Sequence, residues 1–302
     1  MLKEIEIVEV GPRDGLQNEG KLLETSVKIE FIERLVDAGV RRIEAASFVH
    51  PKLVPAMADS EAVMKGLSRS TGTKFIGLAL NERGLRRALD AGCDEVNFVM
   101  VASAGFGQRN QNATPLETAD LFDRVAVLAH DDGVPISVTI SVAFGDPFDG
   151  EVAVETLETL VDRAQSAGAS EIALGDTIGV AEPWAVSQVI NRVKVSAKQT
   201  PLRLHFHNTR NTALANIYAS IEHKVHIFDA SCGGIGGCPF APAATGNVPT
   251  EDVLYMLHRA GYHTGIDLEK MIETANWLSK QLGRELPSML PKAGVFPSTI
   301  NA

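Results

Sequence analysis

Short β-branched runs alternate with longer amphipathic stretches along almost the whole 302-residue chain, and this alternation restricts the fold more than any other feature. Strands are expected near 5–10, 42–46, 74–80, 95–101, 135–142, 171–175, 202–207 and 227–231. Between them, segments such as 26–38 and 152–167 place apolar residues at helical spacing. Ala38-Gly39, Ala91-Gly92 and Ala167-Gly168 read as helix ends, because glycine tolerates the left-handed C-terminal conformation. Strands separated by helices must pair in parallel, and eight such units favour closure into a (β/α)8 TIM barrel over an open sheet. Two further helices are expected at 250–260 and 267–282, followed by a Pro-, Gly- and Ser-rich tail from Pro287 to Ala302. The expected organisation is a single barrel domain over 1–302, with C-terminal helices and tail over 250–302 flanking or covering it.

Barrel enzymes collect their chemistry at the C-terminal ends of the strands, and the polar residues of this chain fall there. Arg13 and Asp14 follow the first strand in Gly11-Pro12-Arg13-Asp14-Gly15. Glu44 and Ser47 end the second, Asp176 the sixth, and His205 and His207 the seventh, while Cys238 and Asn247 follow the eighth. His205 and His207 are one residue apart on a strand and point to the same face, so the pair can hold one ion. Asp14 and Asn247 would complete a mixed nitrogen and oxygen set that suits six-coordinate Mg²⁺ or Mn²⁺ and leaves Zn²⁺ open.

Each residue also has a structural reading. Asp14 has good turn chemistry, and Asp176 at a strand end can cap the next helix. Gln17, Asn18, Asn110 and Asn112 lie on loops after strands, where hydrogen bonding within the loop competes with substrate contact. Cys238 sits in the Gly-rich run 233–247 as a nucleophile, a proton donor or simply a small loop residue.

Several function classes are excluded or disfavoured. A net charge of -10 and a pI near 5.3, with no Lys/Arg cluster, argue against nucleic-acid binding. No segment approaches the run of about 18 apolar residues that spans a membrane. Gly234-Ile235-Gly236 is followed by Pro239 and makes no dinucleotide fingerprint, nor is there a phosphate loop ending in Gly-Lys-Ser/Thr. The residues before Gly11 read as a strand and leave no room for a targeting peptide, so a cytoplasmic protein is expected. Cys93, Cys232 and Cys238 have no metal-finger spacing and are expected to be free thiols.

The segments GPRDGLQNE at 11–19, IEAASFV at 43–49, LGDTIGV at 174–180, HFH at 205–207 and GGIGGCPFAPAATGN at 233–247 occur in one order. Together they resemble the 3-hydroxy-3-methylglutaryl-CoA lyase family, barrel metalloenzymes that break a C–C bond beside a carbonyl. The resemblance implies Asp14, His205, His207 and Asn247 as ligands of a divalent metal, Mg²⁺ or Mn²⁺ first. It implies Arg13 and Cys238 as catalytic and Glu44 and Asp176 as active-face carboxylates. Gln17 and Ser47, by their place after strands, and Arg210, where the chain leaves the family pattern, are expected as substrate contacts. The general base stays open between Asp176 and a metal-linked water. An acyl-CoA thioester substrate and a homodimer are implied in the same way.

The chain departs from the family pattern after the His pair, where Asn208-Thr209-Arg210-Asn211-Thr212 replaces the usual Asp-Thr-Tyr-Gly-Gln, and at Ala104 and Asp146. Arg210 is expected to add a cation near the metal, which brings methylmalyl-CoA or citramalyl-CoA type substrates into view beside 3-hydroxy-3-methylglutaryl-CoA. The competing classes are a metal-dependent hydrolase and a catalytically silent barrel. A hydrolase of the type that uses His-x-His carries the pair on its first strand and has no need of Cys238.

Overall fold

Strands covered by helices outside and packed inside are usually apolar on both faces. Such runs form where the alternation predicts them. The computed structural model describes residues 3–237 and 246–297. Strand β1 is Lys3–Glu4, followed by the barrel strands β2 (Glu6–Glu9), β3 (Arg42–Ser47), β4 (Lys74–Ala79), β5 (Glu95–Val101), β6 (Ile136–Ser141), β7 (Ile172–Asp176), β8 (Leu202–Phe206) and β9 (Ile227–Ala230). Neighbours pair in parallel throughout, and β9 returns to β2 with Glu6 opposite Ile227, closing the barrel. A further strand, β10 (Tyr262–His263), pairs only with β1.

The helices are α1 (Thr25–Asp37), α2 (Ser60–Gly66), α3 (Glu82–Asp90), α4 (Ala104–Asn110), α5 (Pro115–Asp131), α6 (Val154–Ser166), α7 (Pro183–Ala197), α8 (Ala213–Glu222), α9 (Thr250–Arg259), α10 (Leu268–Leu282) and α11 (Leu290–Ala293). Their buried residues recur three or four apart, as in Phe31, Ile32 and Leu35 of α1 and Leu157, Leu160, Val161 and Ala164 of α6. These stripes meet the outer faces of the strands in one large apolar layer. No helix among the described residues is long and apolar enough to cross a membrane.

The barrel interior departs from expectation. Branched apolar side chains usually fill it, yet here only Val8, Val10 and Ile76 form a separate apolar cluster, with Ile227 packed against it. Arg203, Glu95, Glu171 and Asp229 are buried, Arg42 nearly so, and they neutralise one another by ion pairing. Strand β8 also stops at Phe206, one residue before His207, which is held instead by an isolated antiparallel bridge to Asn247. The described part of the tail runs beside the root of the Gly-rich run: Ser288 N–H donates to Gly233 O at 3.3 Å.

Gly39, which ends the turn after α1, has φ +100°, and a Cβ there would stand 2.5 Å from the Gly265 carbonyl oxygen. Gly133, after α5, has φ +70° with nothing within 4 Å of that position. In urea titrations, Gly133→Ala is therefore expected to cost only the left-handed penalty of about 1 kcal/mol. Gly39→Ala must in addition displace a backbone carbonyl, for a total above about 2 kcal/mol.

Candidate active site

A one-turn π-helix, Gly11–Gly15, follows β2, with the N–H groups of Arg13, Asp14 and Gly15 all converging on Val10 O at 3.2, 2.8 and 3.1 Å. This tight turn presents Arg13 and Asp14 at the cavity end of the barrel. Arg13 Nη2 donates to Glu44 Oε2 at 2.6 Å and Nη1 to Asp14 Oδ1 at 2.6 Å, while Glu44 Oε1 accepts from Asn97 Nδ2 at 3.3 Å. Burial alone would lower the guanidinium pKa, but Glu44 and Asp14 outweigh it and hold Arg13 charged. Its Nε has no hydrogen-bond partner among the described residues.

Asp14 Oδ2 accepts from Asn247 Nδ2 at 2.8 Å and lies 4.0 Å from His207 Nε2. The His205 and His207 rings lie tilted by 48° with centroids 5.1 Å apart, and His205 Nδ1 is 3.0 Å from Asp229 Oδ2. One ligand atom from each of Asp14, His205 and His207 falls within 4.8 Å of the others. These residues fit a divalent ion. Asn247 Oδ1 and His207 Nδ1 are buried with no hydrogen-bond partner among the described residues, and Asn247 Nδ2 is already spent on Asp14 and on Ile235 O at 3.0 Å. Charge agrees with this. Burial would raise the Asp14 pKa, but Arg13, His205 and His207 bring it down to about 2. Burial and the neighbouring His205 bring His207 down to about 3, leaving a neutral imidazole and an ionised carboxylate.

A cavity of about 440 Å³ opens over this cluster. Arg13, Asp14, His205, His207 and Asp229 line it with Gln17, Asn18, Asn110, Thr139 and Ser141, while Val49, Leu53, Val54, Pro55, Leu78 and Phe106 form an apolar part of its wall. Asn18 Nδ2 donates to Gly237 O at 2.7 Å, tying the first loop to the Gly-rich run at the cavity edge. Cys238 lies outside the described residues. Asp146 accepts the Ser103 hydroxyl and the N–H groups of Phe106, Phe148 and Asp149, and so shapes the loops that carry Phe106 into the wall.

Three expectations need correction. Gly175 and Thr177 face the cavity, so strand alternation turns Asp176 to the opposite side. There it caps Val180 N at 2.8 Å and Ala181 N at 3.2 Å, with burial pushing its pKa up to about 6. Arg210 does not line the cavity; its Nη1 donates to Ile178 O at 3.1 Å and Gly179 O at 2.8 Å, so it braces the loop after β7. Ser47 is fully buried and off the cavity wall, although a register shift between Glu44 and Ala46 pairs it with Leu78, which does line the cavity. Ser60 Oγ grips the Ser47 backbone on both sides.

Other residues of the site had signals that went unread. Arg203, His205 and His207 share one phase of a period-two pattern, so a charge at 203 belonged inside the barrel with the ligands. Asp229, next to last in β9, holds His205. Glu9 clamps three segments at once: Oε1 accepts from Gly11 N and Cys232 N, each at 2.8 Å, and Oε2 from Thr250 Oγ1 at 2.6 Å. It thereby fixes the Gly11–Gly15 turn relative to both roots of the Gly-rich run.

Burial outweighs those hydrogen bonds and raises the Glu9 pKa from 4.5 to about 8. The folded protein thus keeps a proton that the unfolded chain releases, and stability falls as pH rises from about 4.5 to 8. Glu9→Gln is expected to flatten this dependence in urea midpoints measured across that range. Metal binding has its own signature. Mn²⁺ is expected to raise the thermal midpoint of the chelator-treated protein, less at low pH where protons compete for the ligands, and not at all in His207→Ala.

A model of the HMGL-like family matches residues 4–278. The chain is 41% identical to the (R)-citramalyl-CoA lyase of Chloroflexus aurantiacus, over 99% of this chain and 98% of that protein. It is 39% identical to hydroxymethylglutaryl-CoA lyase YngG of Bacillus subtilis, over 95% of this chain and 96% of that protein. The structure matches that of an HMG-CoA lyase from Acinetobacter baumannii in complex with coenzyme A and 3-methylmalate. There the TM-score is 0.94 at 36% identity, covering 99% of this chain and 98% of that one. Motifs far apart in sequence meet at one end of a closed barrel, and the match extends over nearly the whole chain: this chain belongs to the HMGL-like family, the group of the HMG-CoA lyases.

Proposed function

We propose that this protein is a divalent-metal-dependent carbon–carbon lyase that cleaves 3-hydroxy-3-methylglutaryl-CoA to acetyl-CoA and acetoacetate. The observation that carries the reading is the convergence of Asp14, His205 and His207 with Arg13 on the wall of one cavity. Asp14, His205, His207 and Asn247 would hold the ion, and this mixed nitrogen and oxygen set with room for further oxygen ligands suits Mg²⁺ or Mn²⁺. Bound there, a divalent ion supplies Lewis acidity that orients and acidifies the substrate hydroxyl.

The rest of the chemistry falls to the side chains. As the 3-hydroxyl gives its proton to solvent water in the cavity, a ketone forms at C3 and the C2–C3 bond breaks, sending its electron pair into the thioester as an enolate. Arg13 is held between two carboxylates with Nε unspent, and it donates to the developing oxyanion at fixed position and charge. Glu44 and Asp14 keep the guanidinium aimed. Cys238 is proposed to deliver a proton to the enolate carbon; the Asn18–Gly237 contact supports this by anchoring its loop beside the cavity. Asp176, turned away from the cavity, is not placed to act as base. The apolar wall from Val49 to Pro55 suits the thioester arm.

A second reading keeps the chemistry and shortens the acid: citramalyl-CoA, cleaved to acetyl-CoA and pyruvate. The 41% identical relative named for that activity favours it, whereas Arg210, the side chain expected to recognise a displaced carboxylate, is committed to backbone carbonyls. A homodimer in the cytoplasm completes the proposal; burial of the free thiols Cys93 and Cys232 is compatible with a reducing compartment.

Purified enzyme with Mn²⁺ or Mg²⁺ is expected to release acetyl-CoA and acetoacetate from 3-hydroxy-3-methylglutaryl-CoA, and chelation to stop it. Pyruvate formed faster from citramalyl-CoA would transfer the assignment to the second reading. Arg13→Met is expected to lower kcat by about 10²-fold or more, and an unchanged rate in Cys238→Ala would remove the thiol from the scheme.

A further inference from the structure

Beneath the proposed metal site the barrel interior is a stack of opposite charges. Arg42 lies 2.9 Å from Glu95, 3.0 Å from Glu171 and 3.1 Å from Glu6. One layer nearer the cavity, Arg203 Nε stands 3.3 Å from Glu171 Oε1 and 3.4 Å from Asp229 Oδ1, and Asp229 Oδ2 meets His205 Nδ1 at 3.0 Å. At 1% exposure, Arg203 heads the fully buried side chains by volume. Its Nε and Nη2 and the Asp229 Oδ1 make no regular hydrogen bond to any described residue, so Arg203 acts on Asp229 through charge at close range.

We propose that Arg203 is a positioning residue for the metal centre: seated between Glu171 and Asp229, it keeps the Asp229 carboxylate turned to His205 Nδ1, which leaves His205 Nε2 free toward Asp14 and His207. The physical reason is the sign of the charges. Without Arg203, Arg42 would be left to face Glu6, Glu95 and Glu171, Asp229 would keep only His205 and the field of Arg13, and the two carboxylates that Arg203 separates would repel across a dry interior. Asp229 would swing away. His205 would then lose the partner that fixes its tautomer and ring plane, which is how outer groups tune a metal-ligating imidazole. This inference rests on the metal-lyase reading, since it assigns His205 to an ion.

The test measures Mn²⁺ dissociation constants by electron paramagnetic resonance of free Mn²⁺, on chelator-stripped, substrate-free full-length protein, with circular dichroism to confirm folding. Arg203→Met is expected to weaken Mn²⁺ binding about 10- to 100-fold. Asp229→Asn should do the same, and the double variant should be no weaker than either alone, because both break one chain of contacts. Arg203→Lys, which keeps the charge but not the reach, should recover most of the affinity. Should Arg203→Met fail to fold, the lysine variant decides: the loss it causes must vanish in the Asp229→Asn background. A folded Arg203→Met with wild-type affinity, or an equal lysine effect in both backgrounds, overturns the proposal. Absence of Mn²⁺ binding by the wild type would instead overturn the metal reading itself.

Discussion

One carboxylate holds the site together. Asp14 faces Arg13 through one oxygen and Asn247 through the other, and it stands within reach of His207. These partners come from the first loop, the end of the Gly-rich run and the end of β8. A charge in a largely buried pocket is stable only when such partners surround it. The same demand that fixes Asp14 therefore draws three remote segments into one place.

The barrel beneath obeys the same rule on a larger scale. Its interior is occupied by ion pairs where branched apolar side chains are usual, and each charge is compensated by a partner on a nearby strand or, for Arg42 and Glu171, across the barrel. Buried ion pairs contribute little net stability, because desolvation offsets most of the attraction. What they provide is fixed geometry. The apolar layer between strands and helices stabilises the fold, while the charged interior determines where the ends of the strands point their side chains.

Much of this was legible in advance. The eight strand runs fell within a residue or two of their observed bounds, because burial on both faces and β-branched composition mark a parallel strand locally. Arg13, Asp14, Gln17, His205 and His207, which the sequence puts just after or at strand ends, line one cavity, with Glu44 and Asn247 bonded to Arg13 and Asp14. Asp176, Arg210 and Ser47 were misplaced for one shared reason: a residue at a strand end can turn either into the cavity or into the adjoining loop. Asp176 caps two N–H groups, Arg210 two carbonyls, and Ser47 lies where a register shift has rearranged β3.

The sequence by itself determined the alternation, the barrel and the side-chain chemistry gathered at its active end, since periodicity and strand-end position are local properties of the chain. Only the tertiary structure decided which polar groups meet. Glu9 clamping Gly11, Cys232 and Thr250, and Arg203 standing behind Asp229 and His205, depend on strands brought side by side by closure. Electrostatic partners are chosen by distance in space, and spacing along the chain carries no record of that distance until the barrel has closed.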